Sequence, residues 1–188
     1  LKPGRPAVLQ AQGEAVAAVI RGIAQEKQAP FLHCADWPPS AVALSARGAR
    51  FTAGFPGLPA QEYEIRLPGA HQVDNAVTAL AALSLLPEDL RVSPEAARAG
   101  LREAVWPGRL EWRGNLLLDG AHNPQGARTL REYLEEHFPN AGMTLITGMM
   151  RDKQVEACAS ILAPLFPRVV ATCVNEPRAA EPERVAAA

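Results

Sequence analysis

The sequence predicts an α/β chain in two parts. Residues 1–106 read as helices plus a small antiparallel patch, and residues 107–188 as a Rossmann-like, mostly parallel βαβαβ run. Three observations carry this. Strand-like runs at 110–112, 116–119, 143–147 and 168–172 alternate with helical periodicity at 124–137 and 154–163. The middle of the first part instead has strand candidates back to back, at 41–45 and 50–55, followed by alternation at Tyr63, Ile65 and Leu67. Between the two parts Trp106-Pro107-Gly108-Arg109 breaks every periodicity, and the domain boundary is placed there.

Taken in order, Lys2-Pro3-Gly4-Arg5-Pro6 is a turn and residues 7–10 a short strand. Val16, Val19, Ile20 and Ile23 mark one face of a helix that stops before Pro30. Residues 31–35 are another strand, and Asp36-Trp37-Pro38-Pro39 a loop. Leu67-Pro68-Gly69-Ala70 leads into a helix that carries His71, Gln72 and Asn75 and buries Val73, Val77, Leu80 and Ser84. Ser93-Pro94 caps a further helix with Ala97 and Leu101 inward. Beyond the boundary, Leu116-Leu117-Leu118 reads as the end of a strand buried on both faces, as in a helix-covered parallel sheet. Asn123-Pro124 then starts a helix, a capping side chain followed by proline at the first helical position, with Ala127, Leu130 and Leu134 inward. Asp119, Gly120 and His122 are thus expected at the carboxyl end of a strand facing a helix N-terminus, where open α/β sheets bind ligands. The opening at Leu1 and the Val185-Ala186-Ala187-Ala188 ending predict a piece of a longer protein, with the βαβαβ run short of its final elements.

Composition narrows the function classes. Hydrophobic content of 48% with 21% charged residues is that of a soluble globular protein. A formal net charge of −1 makes no electrostatic case for nucleic acid or a membrane surface, and no apolar run is long enough to span a bilayer. Cys34, Cys158 and Cys173 lie far apart without metal-ligand spacing, which predicts thiols in a reducing cytoplasm. His33 and His137 are isolated, and Trp37, Trp106 and Trp112 read as packing residues. No GxSxG, HExxH, dinucleotide fingerprint or Gly-Lys dipeptide occurs.

Several residues can carry chemistry, each beside a plainer reading. Asp119 can accept hydrogen bonds from a ribose or fix a cation, with His122 on a carboxylate or phosphate; alternatively Asp119 and Asn123 only satisfy backbone amides. His71 and Asn75, four apart, share a helix face, and an Asn amide pairs bidentately with the N6/N7 edge of adenine; otherwise they form a solvated helix start. Arg109, after Pro107-Gly108, can fork onto phosphate oxygens, or pair on the surface with Glu111. The segment Gly148-Met149-Met150-Arg151-Asp152-Lys153-Gln154 can line the same crevice, or Asp152 can simply cap the helix at 154–163.

In order and spacing, four motifs resemble the folylpolyglutamate synthase/dihydrofolate synthase family of the Mur ligase superfamily. They are Lys2-Pro3-Gly4-Arg5-Pro6, Leu67-Pro68-Gly69-Ala70-His71-Gln72-Val73-Asp74-Asn75-Ala76, Trp106-Pro107-Gly108-Arg109-Leu110-Glu111 and Leu118-Asp119-Gly120-Ala121-His122-Asn123-Pro124. The resemblance runs to about Arg178. Muramyl-peptide ligases would show tyrosine at 120, commonly threonine at 123, and tend to asparagine at 72; here Gly120, Asn123 and Gln72 stand.

The resemblance implies that residues 1–106 are the end of a central ATP-binding domain and 107–188 a Mur ligase C-terminal domain. It implies an ATP-dependent ligase that activates a carboxylate of dihydropteroate or a folate as an acyl phosphate, which L-glutamate then attacks. By the same resemblance Asn75 contacts the adenine, Arg109 the phosphates, and Asp119 completes the nucleotide site. His122 serves glutamate binding or domain closure. His71, Gln72, Asp152 and Lys153 form a second tier. A hinge arginine between closing domains would neutralise charge and exclude water together. ATP and Mg2+ are the implied cofactors, with the phosphate loop and magnesium ligands upstream of Leu1, so the chain alone is expected to be inactive. A cytoplasmic monomer is expected. A catalytically silent nucleotide-binding or interaction module and a muramyl-type ligase are the competing readings.

Overall fold

The computed structural model describes all of residues 1–188, which form two compact units, Leu1–Trp106 and Pro107–Ala188. In the first unit, β1 (Ala7–Leu9) and β2 (Phe31–His33) pair in parallel, Ala7 opposite Phe31, and are joined by α1 (Glu14–Glu26). Strands β3 (Ser40–Ser45), β4 (Gly48–Phe55) and β5 (Leu58–Ile65) follow as an antiparallel meander in the order β3-β4-β5, the patch the alternation predicts. The β3–β4 turn is tight because Gly48 lies against β5: a Cβ there would stand 2.0 Å from the Ile65 carbonyl oxygen.

Helix α2 (Ala70–Ser84) packs Val73, Val77 and Leu80 into the core as expected, and its Ala76 and Ala81 let it approach closely. It covers Phe51 and Tyr63, neighbours across β4 and β5 whose rings stack with centroids 5.8 Å apart. Helix α3 (Pro94–Glu103) is capped by Ser93, whose hydroxyl oxygen accepts from the Ala96 amide at 3.1 Å.

Helix α1 corrects one expectation. Its buried positions are Ala17 and Ala24, with Ile20 and Ile23 half-buried, whereas Val16 and Val19 are 50% and 62% exposed. Close approach to the β1–β2 pair is made by the small side chains seven apart, so the helix is rotated away from its bulkiest apolar residues.

In the second unit β6 (Glu111–Arg113) and β7 (Leu116–Leu118) form a hairpin, turned at Gly114 with φ +62°. After α4 (Pro124–His137) come β8 (Thr144–Thr147), α5 (Val155–Leu162), β9 (Arg168–Ala171) and a short α6 (Pro182–Ala186), with β8 and β9 parallel in register. The core gathers Leu110, Ala127, Leu130, Tyr133, Leu134, Cys158 and Leu162. Trp112 joins it, its indole N–H donating to the Tyr133 hydroxyl at 3.0 Å and its ring 5.0 Å from Phe138.

The mixed α/β architecture with a parallel β8–β9 pair is the predicted class, but β7 is not a doubly covered parallel strand. It pairs antiparallel with β6, and the alternation of strand side chains leaves Leu116 and Leu118 exposed while Leu117 turns inward. Three consecutive leucines fit either arrangement, and the tight turn after Arg113 selects the hairpin. Trp106 is exposed rather than packed.

Candidate functional site

Within the first unit, the carboxyl ends of β1 and β2 meet the first turns of α2, where a directed chain of amides forms. The Gln10 amide nitrogen donates to Asn75 Oδ1 at 3.3 Å, and Asn75 Nδ2 donates to Gln72 Oε1 at 3.1 Å. Gln72 Nε2 lies 3.1 Å from His71 Nε2; an amide nitrogen only donates, so that ring nitrogen accepts. Gln72 is buried at 8% exposure whereas Asn75 is exposed, so one end of the chain is fixed in the protein and the other faces solvent. Nearby, the buried His33 at the end of β2 accepts from the Gln12 amide at 3.3 Å, which ties the segment after β1 to β2. The amide pairing of 72 and 75 follows from their i, i+3 spacing on α2.

Within the second unit, the 107–110 turn is held from three directions. The Leu110 amide donates to Asp119 Oδ2 at 3.0 Å, and the Ala121 amide to Asp119 Oδ1 at 2.8 Å. The Gly120 amide donates to the Gly108 carbonyl at 2.8 Å, and the Gly108 amide to Glu111 Oε2 at 2.8 Å. These bonds sustain Gly108 at φ +69° and Leu110, a buried non-glycine residue, at φ +47°. The Gly108 amide, and then Arg113 at 2.8 Å, hold the Glu111 carboxyl below its ordinary value.

With Glu111 engaged by Arg113, the Arg109 guanidinium stays exposed at the tip of a turn whose backbone is fixed on both sides. The plainer reading of Arg109 as a partner of Glu111 is therefore not what forms. The plainer readings of Asp119 and Asn123 do form: Asp119 binds two backbone amides, and Asn123 Oδ1 caps α4 through the Gly126 amide at 2.8 Å. Each Asp119 oxygen retains acceptor capacity beyond these bonds, since an ionised carboxylate offers about four lone-pair sites. His122 Nδ1 lies 2.8 Å from the Gly120 carbonyl, which only accepts, so Nδ1 is the donor of that bond on this exposed ring.

The segment after β8 is fastened to the chain after β9. The Arg151 amide donates to the Arg178 carbonyl and the Ala180 amide to the Met149 carbonyl, both at 2.8 Å, around a bridge between Met150 and Ala179. Arg184 adds bonds to the Arg151 carbonyl at 3.0 Å and to Glu156. Asp152 does not cap α5, which corrects its expected role. Helix α5 begins at Val155 without any side-chain cap, because the bridged turn from Met150 to Lys153 displaces the helix start. The Asp152 carboxylate is instead lowered in pKa, first by its own backbone N–H and then by Lys153, 3.4 Å away, and Arg178.

The structure thus brings His71, Gln72 and Asn75 into one cluster and sets Asp119 against the turn that carries Arg109. Asp152 and Lys153 make their contacts with each other and with the 176–180 segment. Reading the sequence missed Gln10, whose partner is 65 positions away, and Glu111 as the acceptor that frees Arg109. No group of three or more His, Cys, Asp or Glu side chains that could hold a metal ion forms.

The α/β unit with the clamped arginine turn and the Asp-Gly-Ala-His loop before a capped helix has a known family counterpart: residues 108–188 match the family described as Mur ligase, glutamate ligase domain. The chain is 33% identical over 160 residues to the dihydrofolate synthase/folylpolyglutamate synthase of Bacillus subtilis, covering 81% of this chain and 37% of that protein. Its fold matches the folylpolyglutamate synthase of Thermotoga maritima with a TM-score of 0.83 at 28% identity, over 98% of this chain and 44% of that one. It matches the Mycobacterium tuberculosis folylpolyglutamate synthase, solved in complexes with ADP and AMPPCP, with a TM-score of 0.80 at 29% identity, over 96% of this chain and 42% of that one. The chain belongs to the folylpolyglutamate synthase/dihydrofolate synthase family. It spans less than half the length of these relatives.

Proposed function

We propose that this chain supplies part of the active site of an ATP-dependent ligase that joins L-glutamate to dihydropteroate or a folate. The γ-phosphoryl group of ATP passes to the substrate carboxylate with loss of ADP. The glutamate amine then attacks the acyl phosphate, the amide forms, and inorganic phosphate leaves. The observation that supports this reading is the turn at 107–110: backbone bonds to Asp119, Glu111 and Gly120 hold it while the Arg109 guanidinium is left free for a ligand. A positive charge positioned before the reaction stabilises phosphoryl transfer without reorganising during it.

In this reading Arg109 contacts the phosphates, Asn75 the adenine, and Asp119 uses its remaining lone pairs on the nucleotide while ordering the arginine turn. His122 offers Nε2 toward the glutamate. Mg2+, held by parts of the enzyme outside these residues, would supply charge neutralisation at the phosphates. The enzyme works in the cytoplasm as a monomer, and the 188 residues alone have no ligase activity. Gly120, Asn123 and Gln72 favour folate-type over muramyl-type substrates.

The test is Arg109→Ala in the intact enzyme that carries this chain, assayed for glutamate-dependent phosphate release with dihydropteroate and with folates. Loss of a transition-state contact of this kind lowers kcat on the order of 100-fold or more. The exposed position predicts unchanged stability. A wild-type rate in the variant, or turnover only with nucleotide-linked muramyl acids, would reject the reading.

A further inference from the structure

We propose that Arg113 is a positioning residue that keeps Glu111 from capturing Arg109, so that the arginine stays available to phosphate. This rests on the reading above in which Arg109 contacts the phosphates of ATP.

Two carboxylates stand beside the turn that carries Arg109. Asp119 is aimed by main-chain donors, Leu110 on one oxygen and Ala121 on the other, so its direction depends on no other side chain. Glu111 differs. Its Oε2 accepts from the Gly108 amide at 2.8 Å, but its Oε1 is engaged by a side chain, Arg113 Nε, also at 2.8 Å. Arg109 itself takes part in no ion pair.

A carboxylate is a strong acceptor for the Gly108 amide, and the charge-assisted bond helps to hold the turn. The same choice sets a negative charge two residues from the guanidinium that is to meet phosphate. Glu111 Oε2 lies against the amide of the residue before Arg109, which brings the carboxylate within reach of a long, flexible arginine side chain. The Gly108 amide and Arg113 hold its pKa below the ordinary carboxylate value, so it is ionised at neutral pH.

The Glu111 side chain is 20% exposed and the Arg113 side chain 67%. Water therefore satisfies the Glu111 charge incompletely, and an oxygen vacated by Arg113 draws the next cation along the chain, Arg109. The guanidinium would then fold back on its own turn, and an incoming phosphate would have to displace a carboxylate before binding. Apparent affinity falls with the fraction of enzyme held in that closed form.

The test uses the intact enzyme that carries this chain and reads kcat/KM for ATP. Arg113→Ala should lower it about 2- to 5-fold, the range that one partly exposed ion pair spans. Glu111→Gln breaks the same bridge from its other end, yet leaves a neutral carbonyl for the Gly108 amide and no charge to hold Arg109. The double variant Arg113→Ala/Glu111→Gln should therefore regain what Arg113→Ala loses and match Glu111→Gln alone. A bridge that served stability only would behave otherwise: its loss from either end would be alike, and the double variant would regain nothing. Added salt gives a second readout, because screening of an exposed pair should narrow the gap between wild type and Arg113→Ala.

If Arg109→Ala is impaired but Arg113→Ala runs at the wild-type rate, or the double variant is as slow as Arg113→Ala, the guarding role is refuted and Arg109 keeps its place at the phosphates. A wild-type rate in Arg109→Ala removes the phosphate contact, and the guard falls with it.

Discussion

Asp119→Ala removes the acceptor of two backbone amides, and the consequence can be worked from the structure. Hydrogen bonds to a charged group contribute about 1.5–3 kcal/mol each. Asp119 is half-buried, so water replaces part of what is lost at both amides, Leu110 at 3.0 Å and Ala121 at 2.8 Å. The expected destabilisation is about 2–3 kcal/mol, below the sum of two full bonds. For a unit of this size that lowers Tm on the order of 10 °C. Leu110 adds a local signature, since its positive φ of 47° is an unfavourable geometry that the Asp119 bond helps to hold.

Urea unfolding followed by circular dichroism measures the global loss, and hydrogen exchange at the Leu110 and Ala121 amides measures the local one. Asp119→Asn should fall between: its carbonyl still serves one amide, while its NH2 faces the other donor. An alanine variant within about 0.5 kcal/mol of the wild type, with both amides protected as before, would refute the clamp.

Two further outcomes follow from ionisation and burial. Glu111 has a folded-state pKa below its unfolded value, so its contribution to stability is full above the ordinary carboxylate range of about 4.3 and is lost as pH falls through the lower native value. The stability difference between wild type and Glu111→Gln should accordingly be largest near neutral pH and close on acidification. A pH-independent difference would contradict it. Among the thiols, Cys173 is exposed, whereas burial raises the pKa of Cys34 and Cys158. Ellman's reagent should titrate one thiol rapidly in the native chain and the other two only after unfolding; rapid reaction of all three would contradict the burial.

The sequence made some elements plain because their determinants are local. The cap Asn123-Pro124 and the spacing of Ala127, Leu130 and Leu134 define α4 without reference to anything distant, and Ser93-Pro94 does the same for α3. Alternation defined β4 and β5 because one face of that meander is buried. Helix α1 misled because its outer face holds larger apolar side chains than its inner one, and periodicity weighs size where packing chose closeness. Leu116-Leu117-Leu118 misled because a short apolar run does not report which partner it pairs with.

Among the candidate residues, Arg109, Asp119 and Asn75 stand out by type and position. Their supporting bonds do not, because Gln10 to Asn75 and Leu110 to Asp119 join parts of the chain that only folding brings together. Asp152 was misread for the same reason: residues far downstream, not the next helix, decide where its turn ends.

The stitching of Met149, Met150 and Arg151 to Arg178, Ala179 and Ala180 makes the rim beyond β8 a template rather than a gate. Opening it would break several main-chain bonds together with the Arg184 contacts, so its shape is settled during folding. A rim fastened in this way has little conformational freedom left to lose. Residues as far along as Arg184 therefore help set the position of the turn that carries Asp152 and Lys153.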